Sequence, residues 1–155
     1  FVRDRFAVDA AFAALAFGTY QAGMAVARFS GDYLRLKLGA AKLVFASAVL
    51  TAVGTTAGLF APSATMTAVA FVFAGLGIGN VAPILFAGGG RLEPGAPGRG
   101  IAAVTTLGYA GFLAAPPLIG VLAEASTLQI GLCSTVVAAL IIAAYSNRAN
   151  VADTY

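Results

Sequence analysis

Four long stretches of this chain contain no charged side chain: residues 10–27, 43–90, 100–123 and 125–147. A helix needs about 20 predominantly apolar residues to cross roughly 30 Å of hydrocarbon. The second stretch is long enough for two crossings and is broken near its middle by Ala61-Pro62-Ser63-Ala64-Thr65, which reads as a tight turn. The pattern therefore predicts five transmembrane helices, over roughly 9–29, 41–60, 65–89, 100–123 and 127–147. A membrane barrel would show strands of about 9–11 residues with alternating polarity. No such alternation is present.

Composition agrees. Of 155 residues 60% are hydrophobic and 10% charged, against averages of about 45–50% and about 25%. With a mean hydropathy of +0.92, a chain of 15.4 kDa cannot hide that apolar surface in one water-solvated core. The same figures exclude disorder, which needs low hydrophobicity. The expectation is an all-α, polytopic transmembrane helix bundle forming one unit over 1–155, with lipid as its first partner. There is no histidine, and the lone Cys133 lies in the last hydrophobic run, so no disulfide can form within the chain.

The net charge of +3 and pI near 9.4 have a topological meaning, because the basic residues sit between spans. No nucleic-acid partner is expected. Arg28, Arg35, Lys37, Lys42, Arg91, Arg99 and Arg148 fall on one side, and only Arg3 and Arg5 on the other. Seven cations against two place the 28–42 loop, the 90–99 loop and the C-terminus in the cytoplasm, and the N-terminus outside. The stretch 1–9 starts at Phe1 without a leader and resembles an outer loop between two helices. An odd number of spans starting outside points to a fragment.

The first inter-span segment carries Arg28, Gly31 and Asp32 in an Arg-x-x-Gly-Asp arrangement, followed by Arg35. It resembles the loop after the eighth helix in the major facilitator superfamily, a degenerate copy of the loop after the second. Tyr33 stands where that family usually has a basic residue, and Leu36 where it has glycine. The run from Gly75 through Asn80 and Pro83 is similar to the family's tenth helix. The run from Ala102 through Thr105, Gly108, Tyr109, Gly111, Pro116, Pro117 and Gly120 is similar to its eleventh, particularly in sugar-permease-like and drug-efflux-like bacterial branches. The resemblance covers residues 1–147 as helices eight to twelve of a twelve-helix transporter. It implies alternating-access transport of a small-molecule substrate, with the missing N-terminal half as partner.

In lipid, close backbone approach drives helix association. The Gly54/Gly58 and Gly75/Gly79 pairs and the strip Gly18, Ala22, Gly23, Ala27 therefore read as packing faces. Pro83, Pro116 and Pro117 remove backbone donors and are candidate kinks. Polar groups at mid-membrane are costly and point to function. Tyr20, Gln21, Asn80 and Tyr109 are thus the expected substrate-lining set, facing a common interior. Spans two and five, with little beyond hydroxyls, are expected at the periphery. In the gating segment, Asp32 is expected to face a helix N-terminus or accept hydrogen bonds, with Arg28 as its charge partner.

Enzymatic constellations fail. Without histidine there is no Ser-His or Cys-His dyad and no His-rich metal site. Asp4, Asp9, Asp32, Glu93, Glu124 and Asp153 all lie at or beyond span ends, so no buried acid–base pair is available. The glycine-rich run 88–100 lacks the Gly-Lys-Ser/Thr ending and the preceding strand of a phosphate loop. No cofactor and no metal are expected. The alternative to a transporter is a small non-transporting scaffold or assembly partner that keeps the packing and has no substrate path.

Overall fold

Asp9, Ser63 and Thr127 each open a helix. Their side-chain oxygens accept the backbone N–H of Phe12 at 2.7 Å, Met66 at 3.3 Å and Ile130 at 3.2 Å, which satisfies one of the donors every helix N-terminus leaves orphaned. In the computed structural model, which describes residues 1–92 and 95–153, the helices are α1 (Val2–Phe6), α2 (Ala10–Leu38), α3 (Ala40–Phe60), α4 (Ala64–Ile78), α5 (Val81–Leu92), α6 (Pro97–Ala125) and α7 (Leu128–Ala144). A 3₁₀ helix, Ser146–Asp153, follows. There is no strand among the described residues. Glu93, one of the carboxylates assigned to span ends, lies outside them.

Four helical runs (α2, α3, α4 with α5, and α6) are long and apolar enough to cross a membrane. α7, 17 residues long, reaches a fifth only where the 3₁₀ helix bent from its end is counted with it. The all-α bundle expected from the sequence is the fold found. Two boundaries differ. At 1.5 Å per residue, α2 is about 43 Å long and outruns the hydrocarbon. The expected loop over 28–42 therefore shrinks to Gly39, whose φ of 79° suits glycine. The third span is interrupted at Gly79–Asn80. Pro83, three residues into α5, explains the break: its ring crowds the carbonyl four residues back, that of Gly79.

α3 is the central post. Its C-terminal carbonyls are met from outside the helix: Arg5 donates through Nη1 to Leu59 and through Nη2 to Ala61 at 3.2 Å, and Gln129 Nε2 donates to Leu59 at 2.8 Å. Its N-terminus is met by a carboxylate, because Asp153 accepts the Ala40 N–H. A cation at the negative end and an anion at the positive end both complement the helix dipole. These contacts gather Arg5, the turn after Phe60 and the start of α7 at one end of the bundle. Arg35, Ala40 and Asp153 meet at the other, the end that holds most of the basic residues.

Glycine sets the helix spacing. A methyl added at Gly23 would strike the Val72 carbonyl, one at Gly75 the Tyr20 carbonyl, and one at Gly79 would lie 2.7 Å from the Met24 carbonyl. These three interlock α2 with α4 backbone to backbone. Gly54 and Gly77 do the same between α3 and α4. Gly58 seats the Phe71 ring. The packing role read for Gly23, Gly54, Gly58, Gly75 and Gly79 is what the structure shows; Gly18 of the same strip faces open space. α7 lies on α3. Among the described residues α6 packs mainly on α5, through Gly89 and Gly100, and on α7, through Gly131.

Candidate substrate-facing site

The largest described cavity, about 620 Å³, is a cleft bounded by α1, α2, α3, α4 and α7. Its walls are mainly apolar, from Phe17, Ala74 and Ala138 among others, with four hydroxyls: Tyr20, Thr51, Thr55 and Thr135. Among the described lining residues Arg3 brings a charged side chain. Thr51 Oγ1 donates to the Ser47 carbonyl at 2.8 Å, so it offers the cleft lone pairs rather than a proton. Such a wall can hold apolar groups and a few weak hydrogen bonds.

Of the four expected lining residues, Tyr20 is in this cleft and the other three are not. Asn80 is buried (5% exposed) at the α4–α5 break, so close to α2 that a methyl at Gly31 would meet its Oδ1. Gln21 is exposed, and Tyr109 is 67% exposed on α6. A common interior for the four is not formed within the described chain. For Tyr20 and Gln21 the reason is helical geometry, since adjacent residues point about 100° apart. For Tyr109 it is that α6 sits at the edge of the bundle.

The expectation that span two is peripheral is also corrected, whereas α7, the fifth, has only three buried residues. α3 is the most enclosed helix, and Thr51, Thr55 and Thr135, from those two spans, line the cleft. Hydroxyls bonded back to their own helix are compatible with tight interfaces, so a low count of strongly polar groups marked α3 wrongly as outer. α6, expected to line a cavity, has no buried residue in its most apolar window, against 44% for α3. Pro116 and Pro117 lie inside α6, which continues through them, whereas the helix is broken just upstream of Pro83.

Arg28, Gly31, Asp32 and Arg35 lie on α2 and not in a loop. Asp32 is exposed and forms no ion pair with Arg28. The role expected of it at a helix N-terminus belongs to Asp153, which also pairs with Arg35 (Nε to Oδ1, 3.0 Å). The Ala40 N–H, above all, holds the Asp153 carboxyl below its ordinary value; burial opposes this, and Arg35 and Arg91 reinforce it. Nothing in the polar segment after α7 foretold this contact. Arg5 and Gln129 were missed for the same reason, because their partners are backbone carbonyls more than fifty residues away.

Fold and composition define an integral membrane helix bundle. Two curated relatives sharpen that. Membrane protein MosC of Rhizobium meliloti is 34% identical over 123 residues, covering 79% of this chain and 30% of MosC. An uncharacterised MFS-type transporter of Yersinia pestis is 30% identical over 132 residues, covering 85% of this chain and 34% of that protein. The chain thus spans about a third of the length of the curated relatives it matches. No family model and no solved structure matches it. It is a membrane protein similar to transporters of the major facilitator type.

Proposed function

We propose that this chain is one helix bundle, helices eight to twelve, of a major-facilitator-type permease that moves a small solute across a bacterial inner membrane by alternating access. It is a transporter part, not an enzyme. The seven-to-two bias of basic residues supports a cytoplasmic end at Arg35, Arg91 and Asp153 and an external start.

One observation carries the reading. α6 is 29 residues long and apolar enough to cross a membrane, yet it is packed on neighbours along only a small part of its surface. Gly108, Gly111 and Gly120 on it have open space where a side chain would be. A spanning helix with bare glycines and an exposed Tyr109 is a wall awaiting its opposite. Two such bundles enclose a midplane site in secondary transporters. Tyr109 on that face is then the residue turned to the solute path, while Tyr20 lines the separate cleft and Gln21 points away from it. Asn80, packed on Gly31, serves the α4–α5 break.

Reconstitution in liposomes tests this. The chain alone gives no saturable flux, and the chain with the remaining part of the transporter gives saturable, substrate-selective flux. Selective flux by the chain alone would overturn the reading, and absence of flux from the assembled pair would favour the scaffold.

A further inference from the structure

Tyr145 closes α7, and the backbone turns through 56° into Ser146–Asp153. This segment is mostly polar, yet its end is among the most enclosed parts of the molecule. Ala152 has no exposed surface and packs with Ala40, Leu43, Val44 and Ile84. Arg35 donates to the Ala152 carbonyl through Nη2 and to Asp153 Oδ1 through Nε. Asp153 Oδ2 receives the Ala40 N–H. Two residues therefore join the end of α2, the start of α3 and, through Ile84, the body of α5.

α5 is set off from the rest of its span by a break in the helix. It is short, 12 residues, and connects to α4 through the break at Gly79–Asn80. On its other side Gly89 abuts Gly100, which ties the start of α6 to it. A cavity of about 440 Å³ lined by Asp32, Arg35, Leu36, Gly39, Arg91 and Asp153 opens beside the Arg35–Asp153 pair, so water reaches the bond that would have to break.

We propose that Ser146–Asp153 is a strap that fastens α5 to α2 and α3, with Gly79–Asn80 as the hinge it restrains. With Asp153 engaged, the ends of α2, α3 and α5 move as one body. With it released, α5 swings at the break and takes the start of α6 along. The inference goes beyond the transport reading and does not depend on what is carried.

Distances between paired spin labels test it, in liposomes and with Cys133 replaced by alanine throughout. Cysteines at the exposed Leu36 and Leu92 report on α5 against α2. Cysteines at the exposed Leu15 and Val69 report on α2 against α4 at the other end. The parent gives a narrow 36–92 distribution. Asp153→Ala, and a variant ending at Tyr145, lose it in favour of longer and broader distances while the 15–69 distances stay fixed. An unchanged 36–92 distribution in both variants overturns the strap. So does a matching change at 15–69, which would mean that the bundle loosens as a whole.

Discussion

Replacing Gly75 by alanine puts a methyl group into the backbone of α2. The new Cβ collides with the Tyr20 carbonyl oxygen and lies 3.0 Å from its carbon and 3.1 Å from the Met24 nitrogen. A side chain could rotate away from such a contact, but a helix backbone cannot. α2 and α4 must therefore separate along a face where Gly23, Gly75 and Gly79 all interlock. Overpacking of this kind costs about 1–3 kcal/mol, and the separated helices lose dispersion contacts as well. Alanine offsets up to about 1 kcal/mol through helix propensity. The expected net loss is about 1–2 kcal/mol. The same substitution at Gly108 meets nothing within 4 Å. There only the propensity acts, and the change is neutral to about 1 kcal/mol stabilising. Reversible unfolding of the chain in mixed micelles, titrated with dodecyl sulfate and followed by circular dichroism, measures both. Equal effects at the two positions, or a stabilising Gly75→Ala, would refute the argument that backbone contact sets the α2–α4 spacing.

Thr67 is fully buried and donates to the carbonyls of Gly58 at 3.2 Å and Ser63 at 3.1 Å. Thr67→Val should lose about 1 kcal/mol in the same assay, and no loss would show those bonds to be idle. The carboxyl of Asp153 is held below its unfolded value, so its contribution is present at neutral pH and fades as pH falls through the lower folded value. With Arg35, Arg91 and Asp32 around it, the 36–92 label distance should hold from pH 7 to about 5 and change only below about 4. A transition near pH 6 would assign the titration to another group. A single cysteine at Gly98, with Cys133 replaced, should label only from the cytoplasmic side, and labelling from outside would invert the topology.

The four to five candidate spans were legible because the bilayer imposes a length and an exclusion of charge that survive in the order of residues alone. The turn at 61–63 was legible from its proline and serine, and the tight glycines from their spacing. The site was harder to read. Tyr20 and Gln21 look equivalent in a list of polar residues, but one turns into the cleft and the other away from it. Thr51 and Thr55 looked like ordinary span residues because nothing local shows that α3 is central. Asp32 sits in the motif and looked like the capping carboxylate, whereas Asp153, over a hundred residues later, does the capping. Contacts between distant backbone groups and polar side chains leave no spacing to read.

Tyr109 offers the most direct test that α6 is one wall of a path closed by a second bundle. On the proposed reading, the isolated chain would present this position to lipid in a bilayer, and the assembled transporter would present it to water. With Cys133 replaced, Tyr109→Cys should react with a water-soluble maleimide only when the remaining part of the transporter is present, and a transported solute should slow that reaction. Equal labelling of the chain alone and of the assembly would contradict the account.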